Sequence, residues 1–290
     1  MKQEKVITVV IPTFNRKVVT DRAINSVKTN HPQDVEIVVV DDASDRRYKY
    51  QNRQNTSGVE VRVIRSRKNI GASLSRKAGV IASKGKIIAF LDSDDVYGRE
   101  WIDHIIKYKN HKDIERLVLV GRTNGGRKIN SIVYSLLQNL PDKYRLVSAR
   151  IITVMFNPFY TSSIAMSKDI CKFSHRLRYC EDYYTAAFGL FSSNELVLPK
   201  TEACKLGRKP STKGGLSSST SKMFIGELLV RIYLIKTENL LFRYKMMIPV
   251  GLLYQFIRGI TKYIASSCGR HNKKEKYIED IKKNRKSRIL

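Results

Sequence analysis

Three aspartates that follow a short apolar run are the residues of this sequence most suited to chemistry. Asp92, Asp94 and Asp95 come directly after the apolar residues 87–91. Two carboxylates placed two residues apart at the end of a strand can point into one space and hold a hard divalent cation, which can bridge a diphosphate. That cation would neutralise the charge that develops on a departing diphosphate. Taken alone, such a cluster is more often a solvated acidic turn that caps the next helix.

The elements predicted around this cluster place it at one edge of a sheet. Apolar, β-branched runs indicate buried strands, and amphipathic stretches between them indicate helices. The predicted strands cover residues 6–11, 35–40, 59–64 and 86–91, and the predicted helices cover residues 18–28, 71–82 and 101–109. This alternation predicts an α/β fold in which an open sheet carries helices on both faces.

Polar side chains follow three of these strands, at the edge where open α/β sheets bind ligands. Thr13 follows the first strand, Asp41 and Asp42 follow the second, and Asp92 follows the fourth. Because the carboxyl ends of parallel strands share one edge, we expect these side chains to converge. Their convergence favours a ligand site over a solvated acidic turn.

Four motifs resemble, in the same order, those of glycosyltransferase family 2, a large inverting family with the fold called GT-A. They are VVIPTFNR at residues 9–16, VVVDDAS at 38–44, NIGAS at 69–73 and LDSDD at 91–95. The resemblance covers roughly residues 6–191 and implies a Rossmann-like, mixed open sheet. Lys77 departs from the pattern, because members often have Asn after the arginine that corresponds to Arg76.

The resemblance also implies roles for single residues. Together with one loop residue, the motifs predict a nucleotide-sugar site formed by Pro12, Thr13, Asp42, Arg76, Asp92 and Arg208. Asp42 would contact the nucleobase, and Arg76 would support the diphosphate. Asp92 and Asp94 would hold Mn²⁺ or Mg²⁺. Arg208 lies beside a Ser/Gly/Lys-rich loop and is predicted either to close over a diphosphate or to be a solvated loop charge.

A pair of carboxylates further along supplies a candidate base. Glu181 and Asp182 resemble the family's ED motif, whose aspartate usually takes the proton from the acceptor hydroxyl. The resemblance therefore implies that Asp182 is the base and that Glu181 orients the acceptor or the metal shell. The alternative is an acidic helix N-terminus that the helix dipole stabilises.

The charge balance and the C-terminal pattern point to an anionic partner. The chain carries 54 Lys and Arg against 26 Asp and Glu, a formal net charge of +28. Residues 1–222 are predicted to form the catalytic domain. Residues 223–290 are predicted to form a basic, amphipathic helical region that lies on an anionic membrane or packs on the catalytic domain. The four cysteines form no CxxC pair and are interpreted as free thiols, and no signal peptide is visible.

The resemblance and the charge together predict a specific enzyme. It is a hexosyltransferase that moves glucose or galactose from a UDP-sugar to an undecaprenyl-diphosphate-linked sugar, with a β-linkage, during bacterial O-antigen or capsule synthesis. It would be peripheral to the cytoplasmic face of the inner membrane.

Other readings are possible. A lipopolysaccharide-core acceptor is the alternative within the same class. A nucleic-acid-binding protein is the alternative from another class, but no RNP, KH, zinc-finger or helix-turn-helix pattern is present, so no nucleic-acid partner is expected. A dinucleotide-binding oxidoreductase is disfavoured because GxGxxG does not follow the first strand.

Overall fold

The structure is a computed structural model that describes residues 5–45, 48–112, 114–174, 177, 179–207, 220–236, 242–257 and 260–261. The strands are β1 (Ile7–Thr13), β2 (Val35–Asp41), β3 (Arg53–Gln54), β4 (Glu60–Arg65), β5 (Ile87–Phe90), β6 (Val96–Tyr97), β7 (Leu117–Val120), β8 (Arg122–Asn124), β9 (Ile164–Ser167), β10 (Glu195–Val197) and β11 (Glu202–Lys205). The helices are α1 (Lys17–Ser26), α2 (Ala72–Ala82), α3 (Trp101–Ile106), α4 (Lys128–Asn139), α5 (Asp142–Met155), α6 (Glu181–Ser192), α7 (Thr220–Ile235) and α8 (Phe242–Lys245). Residues 248–257 are also helical.

Eight strands form the central sheet within the described residues, in the order β10-β7-β9-β5-β1-β2-β4-β3. β5, β1, β2 and β4 are parallel, so their carboxyl ends meet at one edge, as predicted. β9 is antiparallel to both of its neighbours, β5 and β7, which makes the sheet mixed. Since β9 runs in the opposite direction, its first residues lie at the edge where β5 ends.

Helices cover both faces of the sheet, which confirms the predicted fold class. Side chains of β1 alternate between the two faces: Val9 packs with α1 and α3, and Val10 packs with α2, α4, α5 and α6. This alternation follows from the two-residue period of a strand. Both faces of β1 and β2 are therefore buried, which explains their continuous apolar runs.

Several parts of the fold were not predicted from the sequence. Among them are β3, β9, α5 and a three-stranded sheet in the order β6-β11-β8. α3 is also shorter than predicted. It ends at Ile106 because the N–H groups of Tyr108 and Lys109 bond to carbonyls three residues back, which tightens the last turn.

The C-terminal helices pack with one face on the preceding part of the chain. Val230 and Leu234 of α7 join Tyr183 and Phe188 of α6 in one apolar cluster, which also contains Tyr244. The boundary predicted after residue 222 therefore falls inside α7. Among the residues that the structure describes, no helix has both the length and the hydrophobicity needed to cross a membrane.

Candidate active site

The hydroxyl group of Ser162, in the segment before β9, fixes the acidic turn that follows β5. The Asp92 N–H donates to the Ser162 Oγ at 3.0 Å, and the Ser162 hydroxyl donates to the Asp95 Oδ2 at 2.6 Å. The Asp95 Oδ1 accepts a third bond from the Gly207 N–H at 2.9 Å. The turn that carries Asp92 and Asp94 is thus fixed by the segment before β9 and by the chain after β11.

Asp95 differs from the other two aspartates because it is buried. Burial, followed by the charge of Asp92, raises the pKa of Asp95 to about 7, although its bonds to Ser162 and Gly207 oppose the rise. Its side chain bonds inward and anchors the turn, which leaves Asp92 and Asp94 to face a ligand.

A buried arginine joins the acidic turn to the start of α6. Arg76 of α2 is only 7% exposed, and its Nη2 lies 2.6 Å from the Asp92 Oδ1. Its Nη1 lies 3.4 Å from the Glu181 Oε1. Burial alone would lower the pKa of Arg76, but the charges of Asp92 and Glu181 raise it above its ordinary value. Arg76 therefore stays charged and holds together two carboxylates that are distant in sequence.

The paired carboxylates at the start of α6 are hard to ionise. Burial, followed by the charge of Asp182, raises the pKa of Glu181 to about 7. Burial also raises the pKa of Asp182, against the opposing effects of Arg76 and the Tyr183 N–H. A raised pKa makes the ionised carboxylate a stronger base, which favours proton transfer from a hydroxyl group. The pair is therefore suited to accept a proton from a bound hydroxyl.

Asp92 and Asp94 fit a divalent cation whose remaining ligands come from a bound substrate. No group of three or more Asp, Glu, His or Cys side chains among the described residues is placed as a metal cage. Asp92 and Asp94 are partly exposed, with side chains 34% and 20% accessible. The Asp94 Oδ2 pairs with the Arg16 Nη1 at 3.1 Å. One or two carboxylates completed by substrate phosphates are the usual protein ligands of Mg²⁺.

The predicted nucleobase residues lie at the ends of β1 and β2. Asp42 is buried, and its carboxylate accepts bonds from the N–H groups of Ile70 at 2.7 Å and Gly71 at 2.9 Å. A carboxylate offers about four acceptor positions, so Asp42 keeps capacity for a ligand. Thr13 is also buried, next to Pro12, and its hydroxyl is shared with Thr20 and Tyr50.

The loops after β1 and β2 hold each other in a strained form. Asn15 and Ala43 both have positive φ angles, 54° and 60°. The Asn15 N–H donates to the Ser44 Oγ, and the Asn15 Oδ1 accepts from the Asp45 N–H. Left-handed residues other than glycine cluster at functional sites, where neighbouring bonds keep them in place.

The structure therefore brings some predicted residues together and leaves others apart. Arg76 contacts both Asp92 and Glu181. Asp42 and Thr13 lie at a separate part of the same sheet edge. Arg208 lies outside the described residues. Sequence reasoning missed Ser162 and Arg16. The signal for Ser162 was a pair of hydroxyl residues before an apolar run, and the signal for Arg16 was its place just after β1.

Comparison with known proteins identifies the family that the four motifs resemble. Residues 8–168 match the family described as Glycosyl transferase family 2. A Campylobacter jejuni protein named GalNAc(5)-diNAcBac-PP-undecaprenol beta-1,3-glucosyltransferase is 32% identical over 91 residues, which cover 31% of this chain and 29% of its own length. The Staphylococcus aureus protein TarP, named a poly(ribitol-phosphate) beta-N-acetylglucosaminyltransferase, is 28% identical over 134 residues, 45% of this chain and 41% of its own length. The matched segments thus span well under half of these relatives.

Solved structures share the fold at low sequence identity. A crystal structure of Staphylococcus aureus TarS aligns with a TM-score of 0.63 and 17% identity, covering 86% of this chain and 71% of that chain. The mannosyltransferase PcManGT of Pyrobaculum calidifontis, in complex with GDP-Man and Mn²⁺, aligns with a TM-score of 0.61 and 14% identity, covering 91% and 76%. The family match covers more than half of the chain, includes the acidic turn and ends before α6. The chain therefore belongs to Glycosyl transferase family 2.

Proposed function

We propose that this chain is an inverting glycosyltransferase that moves a hexose from a UDP-sugar to a lipid-linked sugar, forming a β-linkage. The observation that carries the proposal is the Arg76 bridge. It joins Asp92, at the edge where donors bind in open α/β sheets, to Glu181, which begins the helix that also bears Asp182. One buried side chain thus contacts both the proposed donor site and the helix that carries the proposed base.

Each part of the proposed reaction is assigned to particular residues. Asp182 takes the proton of the acceptor hydroxyl, whose oxygen then forms the bond to the anomeric carbon. The bond from that carbon to the nucleoside diphosphate breaks, and the configuration inverts. Asp42, Thr13 and Pro12 hold the nucleobase end of the donor. Asp92 and Asp94 would hold Mn²⁺ or Mg²⁺, which when bound neutralises charge on the departing diphosphate.

The names of similar proteins support this substrate class. The Campylobacter relative is named for an undecaprenol-diphosphate-linked acceptor and a β-linked glucose. TarS, a fold neighbour, was solved in complex with UDP-GlcNAc. We therefore propose UDP-glucose or UDP-galactose as donor, undecaprenyl-diphosphate-linked sugar as acceptor, and surface polysaccharide synthesis, O-antigen or capsule, as the process.

The test uses the full chain, a panel of UDP-sugars and a synthetic lipid-diphosphate sugar, with UDP release and product mass as readouts. Asp182→Asn is expected to lower turnover by about 10²- to 10⁴-fold, because it removes the base. Its donor affinity, measured by calorimetry, should stay within about threefold. Asp169→Asn is the matched control, since Asp169 is exposed and outside the site. Turnover of Asp182→Asn near that of the control would contradict the assignment.

The outer face of the C-terminal helices supports a membrane partner. On α7, Ile225, Leu229 and Ile232 follow helical spacing and are 36% to 54% exposed. In residues 248–257, Val250, Leu253, Phe256 and Ile257 are more than half exposed. A helix that buries one apolar face and exposes another, in a chain of net charge +28, suits the surface of an anionic bilayer. We place the enzyme on the cytoplasmic face of the inner membrane, with residues 223–290 as its membrane-associating region.

Vesicle sedimentation tests this placement. The protein is expected to sediment with phosphatidylglycerol vesicles at low salt and to be released by high salt, because the attraction is partly electrostatic. Leu253→Ser should weaken sedimentation, whereas Val18→Ser should not, although Val18 on α1 is 83% exposed. Equal loss in both variants, or no binding by the wild type, would refute the membrane face.

A further inference from the structure

Helix α7 lies against the turn from which the paired carboxylates start. Gly226 is the point of closest approach: a Cβ there would lie 2.8 Å from the carbonyl oxygen of Tyr179 and 2.9 Å from the Tyr179 Cβ. Side chains do not fit at such distances, so the approach requires glycine. Glycine inside a helix costs about 1 kcal/mol relative to alanine, a cost that this close contact explains.

The turn that α7 touches has an unusual backbone. Cys180, the last residue before α6, is left-handed with φ of 58° and ψ of 25°. A left-handed residue other than glycine costs about 1–2 kcal/mol and persists where its surroundings hold it. The Cys180 Sγ lies 3.5 Å from the Met223 carbonyl oxygen, so α7 contacts both Tyr179 and Cys180.

This backbone determines where the carboxylates point. Glu181 and Asp182 are the first two residues of α6 and directly follow Cys180. The direction of the chain at Cys180 sets the start of the helix axis and, with it, the distance of Glu181 from Arg76. That distance is 3.4 Å, at the long end of a hydrogen bond, so a small displacement of the turn would break it.

α7 is also held by a buried arginine. Arg231 is completely buried and donates to the carbonyl oxygen of Val154 at 3.1 Å, at the end of α5. It also donates to the Gln255 Oε1 at 2.8 Å and to the carbonyl oxygen of Met155. Its guanidinium carbon lies 5.7 Å from the centroid of the Tyr183 ring in α6. The position of α7 is therefore fixed by α5, α6 and residues 248–257, besides its contact with the turn at Cys180.

We infer that Gly226 is a positioning residue for Glu181 and Asp182: α7, held by Arg231, presses its glycine on Tyr179 and keeps the left-handed turn in place. This inference rests on the proposed function. It makes α7 a support of the active site, with the lipid-facing side chains on its outer surface and the carboxylate turn on its inner surface.

The test compares two glycines that both lie against backbone atoms. Gly226→Ala adds a methyl group against the Tyr179 carbonyl, and Gly85→Ala adds one 2.5 Å from the Thr8 N atom, at the edge of the sheet opposite the carboxylates. After correction for folded fraction, Gly226→Ala is expected to lower kcat by about 10- to 100-fold, because small misplacements of catalytic groups have effects of that size. Its KM for the UDP-sugar should stay within about twofold, since the donor edge is untouched. Gly85→Ala should keep kcat within about twofold.

A second measurement does not depend on activity. Cys180 is buried in the wild type, so mass spectrometry of iodoacetamide-treated protein should show slow labelling of its peptide. Gly226→Ala is expected to speed that labelling, and Gly85→Ala is not. Unchanged labelling and unchanged kcat in Gly226→Ala would overturn the inference, as would equal effects of both variants. A wild type that transfers no sugar would refute the proposed function alone, because the labelling still tests the position of the turn.

Discussion

Replacing Glu181 by glutamine is expected to make the protein more stable at pH 8 and a poorer enzyme. Glu181 is buried beside Asp182, and its pKa is raised from 4.5 to about 7. A raised carboxyl pKa means that the folded state prefers the protonated form. The stability that this group contributes is complete below the unfolded pKa and is lost as pH rises through the folded pKa. Glutamine has the same shape and never ionises.

The size of the effect follows from the two pKa values. Each pKa unit corresponds to about 1.4 kcal/mol, so ionising Glu181 above pH 7 costs the folded state about 3 kcal/mol. The attraction of Arg76 is already part of that net value, because it acts on the same carboxylate. We expect the free energy of unfolding of Glu181→Gln to exceed that of the wild type by less than about 1 kcal/mol at pH 5 and by about 3 kcal/mol at pH 8. Transfer should fall, since Arg76 loses a charged partner.

The assay is urea unfolding between pH 5 and pH 8, followed by the fluorescence of Trp101, which is the one tryptophan of the sequence and is buried. Glu115→Gln is the control, because the Glu115 side chain is exposed and the substitution should leave the pH dependence unchanged. A difference between Glu181→Gln and the wild type that does not vary with pH would refute the reasoning. A variant less stable than the wild type at pH 8 would also refute it.

Three further predictions concern the strand ends. Asp94→Ala should abolish stimulation of transfer by Mn²⁺ and lower turnover by at least about 100-fold; full activity of this variant in chelator would count against a metal role. Ala43→Gly should raise the free energy of unfolding by about 0.5–1 kcal/mol, because glycine relieves the left-handed strain at a smaller entropic cost; a drop in the urea midpoint would contradict this. Ser162→Ala should lower that free energy by about 1–3 kcal/mol, since it leaves the Asp92 N–H without its acceptor and the Asp95 Oδ2 without its donor; an unchanged urea midpoint would contradict this.

The sequence allowed the prediction of the elements that are buried on both faces. β1, β2 and β5 form continuous apolar runs, and the polar residues that follow them lie at one edge as expected. β6, β8 and β11 have only two to four residues and mixed exposure, so no periodic pattern marks them.

The candidate site could likewise be predicted only in part from the sequence. Local patterns pointed to Asp92 and Asp94, because they follow a buried strand, and the family resemblance pointed to Asp182. The pairing of Arg76 with Glu181 joins residues 105 positions apart, and it depends on how α2 and α6 pack. Single-sequence patterns report periodicity and spacing but not such side-chain pairs. The resemblance implied that Arg76 supports the diphosphate, which stays a prediction, and the structure adds the contacts of Arg76 with two carboxylates.

The Arg76 bridge has a consequence for how related genes can recombine. Residues up to β8 carry the proposed donor edge, and α6 carries the candidate base. The two halves meet at the active site through Arg76 and through the bonds of Ser162 and Gly207 to the acidic turn, and they share the central sheet through the pairing of β9 with β5 and β7. A hybrid gene that takes its first half from one parent and its second half from another would keep a working junction if both parents match at these residues and along this strand pairing. New acceptors could then be acquired by exchanging the second half, without rebuilding the donor site.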